Sequence, residues 1–206
     1  YASFTMSQIG TTITVEIWAN YSTLADRMIF GFGYYDVYAT GDSIIGFNTA
    51  AGDIYGLTST QVTNLGLLNQ WKHYVFEMRS DVSYTNNKIY INAALQTLSQ
   101  VSATENAGNR NFNSGNGRIS CWLQDNNYHQ AMDIALFRVY NRALTQAEIT
   151  NNYNSLSKRF NYLEKGFNKI KFLPNIKIKD YIKLTNNYKK ELTDFYNKKI
   201  RTSINV

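Results

Sequence analysis

The sequence predicts an all-β protein, a two-sheet antiparallel sandwich closed by a short helix and followed by a basic, partly helical tail. Residues 11 to 140 fall into short segments rich in Val, Ile, Thr, Tyr and Phe, separated by clusters of Gly, Asn, Asp and Ser. That is the composition of strands joined by turns. A helix start signal first stands out after Tyr140.

The segment Tyr1 to Met6 has a strand pattern from its first residue, and the chain begins with Tyr rather than Met, so a longer parent polypeptide is expected. In Thr12 to Ala19, positions 13, 15, 17 and 19 are apolar and 12, 14 and 16 polar, the alternation of a half-buried strand, with Trp18 on the polar face. Further strands are expected at 27 to 32, 34 to 40, 42 to 48, 71 to 79, 87 to 93, 118 to 124 and 131 to 140. The short connections imply antiparallel pairing. Cys121, the single cysteine, falls on the apolar face of the 118 to 124 segment and is expected to be buried, without an internal disulfide. Ala103 to Gly117 is too rich in Asn and Gly for a core strand and reads as a long exposed loop.

Thr145-Gln-Ala-Glu148 is a capping box, in which the Thr hydroxyl and the Glu carboxylate satisfy reciprocal backbone donors at a helix start. A short helix over about 145 to 153 is predicted from it. Beyond, the chain changes character at the only proline, Pro174. Tyr188, Leu192, Phe195 and Ile200 recur at helical spacing among charged residues, predicting an amphipathic helix over about 186 to 200.

Charge separates the same two regions. Residues 1 to 157 hold 8 Lys and Arg against 11 Asp and Glu, whereas residues 158 to 206 hold 13 against 4. The overall +6 therefore belongs to the tail, which argues against a nucleic-acid surface on the folded domain. No apolar stretch approaches the ~20 residues of a membrane-spanning helix.

Residues suited to catalysis do not fall into a catalytic pattern. None of the six Glu residues is followed by x-Asp, so the carboxylate-bearing strand of glycan hydrolases on sandwich folds is absent. His73 and His129 have no metal-ligating partners at suitable spacing, and His73 reads as a packed strand residue. Gly31-Phe-Gly33 lacks the third glycine and the helix of a phosphate loop, and more simply relieves crowding between strands.

The run Asp133-Ile-Ala-Leu-Phe-Arg-Val-Tyr-Asn-Arg-Ala-Leu-Thr-Gln-Ala-Glu-Ile-Thr-Asn-Asn-Tyr153 resembles the terminal strand and helix of laminin-G-like, concanavalin-A-like jelly-roll domains. Ile13 to Trp18, Trp71-Lys-His-Tyr-Val-Phe76 and Lys88-Ile-Tyr-Ile-Asn92 agree with that family in order and spacing, so the resemblance covers most of residues 1 to 160. One departure is Asn92-Ala93 where the family has Asn-Gly, which predicts a turn of another type. The ending Asn152-Tyr-Asn-Ser-Leu-Ser-Lys-Arg-Phe160 resembles variants found in structural proteins of phages and large DNA viruses.

A surface suited to binding is predicted on one strand face. Tyr34, Asp36 and Tyr38 are expected to project from it, and Asn48, Asp53 and Tyr55 to converge on them from the next loop. Flat rings beside amide and carboxylate oxygens suit sugar hydroxyls, and Asp36 with Asp53 form a weak calcium candidate. The plainer alternative is that the tyrosines cover apolar surface and Asp36, Asn48 and Asp53 cap turns. The leading functional reading is a non-catalytic, lectin-like recognition or adhesion module on a virion or extracellular surface, part of a fibre, spike or capsid decoration. The alternative is a purely architectural protein–protein module, with a glycan hydrolase third. In either of the first two, the tail, through Tyr188, Leu192, Phe195 and Ile200, is expected to anchor the sandwich to a neighbouring subunit, and no membrane partner is implied. A basic arm on nucleic acid is the disfavoured alternative, because Asp180, Glu191 and Asp194 dilute the charge. No cofactor beyond a possible calcium is implied.

Overall fold

A computed structural model describes residues 1–7, 9–42, 44–49, 52–102, 110–112, 115–122 and 127–160, the helix backbone as far as Lys171, and Lys190. The chain forms two compact units, Tyr1–Ser157 and Lys158–Val206. The predicted helix over 186 to 200, its residues Tyr188, Leu192, Phe195 and Ile200, and most of the expected loop at 103 to 117 lie outside the described residues.

Among the described residues, the first unit is two antiparallel sheets face to face. Strands β1 (Ala2–Thr5), β11 (Asn116–Ile119), β3 (Arg27–Gly31), β4 (Asp36–Ala39), β5 (Ile45–Asn48), β6 (Tyr55–Leu57) and β10 (Ser99–Gln100) form the larger sheet in that order. The smaller runs β12 (Met132–Tyr140), β2 (Thr12–Tyr21), β7 (Trp71–Arg79), β8 (Lys88–Ile91) and β9 (Ala94–Leu95). A short helix α1 (Ser59–Asn64) and the 3-10 turn Tyr84–Asn86 connect strands. This is the all-β sandwich that the alternation predicted, and it is consistent with the jelly roll that the resemblance implied.

The core lies between the inner faces. Ile13, Val15, Ile17 and Ala19 of β2 and Tyr74, Phe76 and Met78 of β7 are fully buried against Phe30, Val37, Ile45 and Phe47 of the larger sheet. Phe76 meets Phe30 edge-on at 5.4 Å and Phe47 at 6.3 Å, joining the two sheets through rings. Each such side chain contributes about 1.5–3 kcal/mol by leaving water.

Several expectations are corrected. β2 is buried on both faces, because helix α2 (Gln146–Lys171) begins against the outer face of the smaller sheet. Trp18, expected on a polar face, is 2% exposed and stacks on Tyr153 of α2 at 5.8 Å with the rings 7° from parallel. Beside it Glu16 takes hydrogen bonds from Tyr140 Oη at 2.8 Å and Asn152 Nδ2 at 3.0 Å. The capping box at Thr145 and Glu148 forms, with Glu148 N donating to Thr145 Oγ1 and Thr145 N to Glu148 Oε2. The helix it starts is far longer than the predicted 145 to 153, because no proline stands in the way before Pro174. Ser120 takes a left-handed φ of 62°, so β11 ends at Ile119 and Cys121 lies in the following bend, buried as expected but outside a strand. Strand β11 in turn starts at Asn116, inside the segment read as loop.

The Asn92-Ala93 turn is also corrected. Both residues have positive φ, 51° and 66°, between the paired residues Ile91 and Ala94. Positive φ at both central positions of a two-residue hairpin is the type I′ signature, so the family's turn is kept with alanine in the place that favours glycine.

Candidate functional site

The outer face of the larger sheet is set by strict alternation. In β4, Val37 and Ala39 point to the core and Asp36 and Tyr38 away from it; in β5, Ile45 and Phe47 point in and Gly46 and Asn48 out. Cross-strand register then builds two outward rows. Met28, Tyr38, Gly46 and Gly56 stand opposite one another in turn, and Gly31, Asp36 and Asn48 form the second row.

Glycine shapes both rows. A Cβ on Gly46 would fall 2.4 Å from Tyr55 O and 2.7 Å from Gly56 Cα, so the close approach of β5 and β6 excludes a side chain at this position. At Gly31 a Cβ would lie 2.4 Å from Asp36 Cβ, which is the crowding that the sequence suggested this glycine relieves.

Over the first row a pocket of about 190 Å³ opens, lined by Met28, Tyr38, Asn48, Gly52, Trp122 and Tyr128. Ser120 and Tyr128 are fastened to β3 by backbone bonds from Ser120 N to Ile29 O and from Met28 N to Tyr128 O, both 2.8 Å. Trp122 Nε1 donates to Gly33 O at 3.0 Å, fixing the indole plane. Edge-to-face contacts then link Tyr34 to Trp122 at 6.2 Å, Trp122 to Tyr128 at 6.0 Å and Tyr128 to Tyr38 at 5.8 Å. Tyr128 holds a left-handed φ of 61°, unusual for so bulky a residue.

Beneath the rings, Asn48 Nδ2 donates to both carboxylate oxygens of Asp36, at 3.1 and 3.2 Å, while Asn48 Oδ1 is buried without a hydrogen-bond partner. Burial pushes the Asp36 carboxyl well above the usual range, and the nearby Asp53 charge adds to this against the lowering effect of the Asn48 bond. Tyr38 is pushed up to about 12, by burial first and then by Asp26 and its other neighbours.

The expected site residues separate as follows. Asp36, Tyr38 and Asn48 do share one face. Tyr34 lies in the bend before β4 rather than on the strand, and joins the cluster through Trp122. Asp53 turns back on its own loop, accepting from Thr49 N at 2.8 Å and from the Thr49 hydroxyl. Tyr55 stands opposite Phe47 and so belongs to the inner face, packed edge-on against Tyr84 at 5.1 Å. Asp36 and Asp53 thus spend their oxygens on internal bonds, and among the described residues no group of three or more His, Cys, Asp or Glu side chains gathers as a metal site. Trp122, Tyr128 and Met28 were not anticipated, since no local pattern ties Trp122 or Tyr128 to a strand near residue 38.

Residues 1–150 match the sequence family described as the Concanavalin A-like lectin/glucanases superfamily. No curated protein matches. Among solved structures, a botulinum neurotoxin type C structure concerned with interaction with two ganglioside molecules is similar at 19% identity and TM-score 0.47, over 71% of this chain and 36% of that one. A botulinum neurotoxin DC binding domain in complex with rat synaptotagmin II gives 16% identity and TM-score 0.47 over 71% and 36%. A putative carbohydrate binding protein from Bacteroides ovatus gives 17% and 0.44 over 68% and 40%. The similarity thus spans well under half the length of those proteins. By the match over residues 1–150, the chain belongs to the concanavalin A-like lectin/glucanase superfamily.

Proposed function

We propose that the sandwich is a non-catalytic recognition module that binds a glycan in the outer-face pocket of the larger sheet. The observation that carries this reading is the pocket itself, in which Tyr38, Trp122 and Tyr128 frame Asn48. Ligand sites are typically concave and apolar with a few placed polar groups, and a sugar ring has both an apolar C–H face for the tyrosine and tryptophan rings and hydroxyls for the amide. Catalysis by paired carboxylates has no support here, because Asp36 is buried on Asn48 and Asp53 is bound to Thr49. Binding in this reading needs no calcium.

The same reading has the module displayed on a virion or cell surface, with residues 161 to 206 anchoring it to a neighbouring subunit through Tyr188, Leu192, Phe195 and Ile200. The basic charge and apolar spacing of that segment support it.

A glycan array probed with the intact chain, with and without EDTA, tests the reading. Reproducible binding that Tyr38→Ala and Trp122→Ala both abolish is the expected result, unchanged by chelation. Absence of binding to every glycan overturns it and leaves a purely architectural module.

A further inference from the structure

Among the described residues, the lining of the pocket carries no charge: Met28, Tyr38, Asn48, Gly52, Trp122 and Tyr128. The basic residues that adjoin these in sequence are engaged elsewhere. Arg27 Nη1 donates to Asp26 O at 2.6 Å. Arg118 Nη1 donates to Trp122 O at 3.2 Å, and its guanidinium lies over the Tyr1 ring at 4.9 Å. His129 stacks on the same Tyr1 at 5.9 Å, with Nδ1 near Ser120 O. The acids acting on the Tyr38 hydroxyl, Asp26 and Asp36, add no positive charge and when ionised repel an anion.

Hydrogen-bond polarity points the same way. Asn48 has given its Nδ2 to Asp36, and its buried Oδ1 accepts from nothing. An unsatisfied amide oxygen calls for a donor, which a sugar hydroxyl or an acetamido N–H supplies, so the acidic group of a charged sugar, which brings acceptors alone, finds no partner in Asn48 Oδ1. Size limits the ligand further, since about 190 Å³ lies below the roughly 300–1,000 Å³ of sites for larger ligands.

We propose that this pocket selects one neutral pyranose ring, presenting a hydroxyl or amide N–H to Asn48 and lying against Trp122, Tyr128 and Tyr38, and that it rejects acidic sugars. This rests on the glycan-binding reading above and specifies its ligand class.

The test is titration calorimetry, backed by saturation-transfer NMR, on the intact chain. The probes are the methyl glycosides of glucose, galactose, N-acetylglucosamine, N-acetylneuraminic acid and glucuronic acid. The expected result is that at least one neutral glycoside binds about tenfold or more tighter than either acid, and that Tyr128→Ala weakens it by about fivefold or more. Tyr128 is 42% exposed, so its truncation leaves the core intact, and Trp122→Phe serves as a second, milder variant. An acidic glycoside bound as tightly as the best neutral one, and lost in Tyr128→Ala, overturns the selectivity while leaving glycan binding in place. Neutral binding that neither variant alters overturns the assignment to this pocket. Silence from every probe overturns both readings together.

Discussion

Glu16 Oε1 lies 2.9 Å from His73 Nε2, and neither side chain has any exposed surface. The pair sits on adjacent strands, Glu16 of β2 and His73 of β7, under the first turns of α2. Burial pushes the Glu16 carboxyl up, but hydrogen bonds from His73 and Tyr140 and the charges of His73 and Arg138 outweigh it and hold the carboxyl below its usual range. A depressed carboxylate contributes stability that is present above its unfolded value and lost as pH falls through the folded one. The melting temperature should therefore drop as pH falls below about 4, and Glu16→Gln should flatten that limb. Glu16→Ala should cost about 3–5 kcal/mol by leaving buried partners unpaired. Thermal melts across pH check both, and an acid limb identical in Glu16→Gln would remove Glu16 as its source.

Asp36 should behave in the opposite sense. Its carboxyl is held well above the usual range, by burial first, so the fold favours the protonated form and loses stability as pH rises through the folded value. Asp36→Asn removes this loss, because an amide stays neutral at every pH while its remaining oxygen can still accept from Asn48 Nδ2. The variant should be more stable than the native chain at pH 8 and gain least at pH 4. Denaturant titrations at the two pH values measure the difference, and a gain larger at pH 4 would contradict the sign.

Ala93 occupies a left-handed position, φ 66°, that costs an L-residue free energy a glycine does not bear. Against the extra backbone freedom that glycine loses on folding, Ala93→Gly should still stabilise by about 0.5–1 kcal/mol. Gln146 Nε2 donates to Ala93 O at 2.9 Å, so the turn also seats the start of α2. Unfolding in urea checks this, with a shifted midpoint and an unchanged m-value expected.

Removal of residues 161 to 206 should leave the sandwich folded while abolishing its incorporation into the parent assembly. The hydrophobic core is contained within Tyr1–Ser157, which supports the first half. Co-assembly with the parent particle's other subunits measures the second, and incorporation at the intact level would defeat the anchoring proposal.

The sandwich was legible because period-two alternation in β2, β4, β5, β7 and β12 survives on the inner face whatever covers the outer one. The outer faces were less legible. Trp18 and Glu16 read as solvent-facing because a strand does not announce that a helix more than a hundred residues later will cover it. Asp36, Tyr38 and Asn48 could be placed on one face since only a short hairpin separates β4 from β5. Counting onward to Tyr55 failed, because the loop after Asn48 does not preserve parity. Trp122 and Tyr128 had no local signal at all: their place beside Tyr38 depends on the backbone bonds that fasten Ser120 and Tyr128 to β3.

Cys121 immediately precedes Trp122 in the pocket wall and is fully buried as the chain's only cysteine. A thiol reagent can therefore modify the native protein at this single position, and only during the moments when the backbone around it lifts away from β3. The rate of that modification is a clock for local opening, readable without introducing a label or altering a residue. A ligand seated against Trp122 would slow the clock in proportion to its occupancy, so the chemistry of one buried sulfur atom can report on the occupancy of the face beside it.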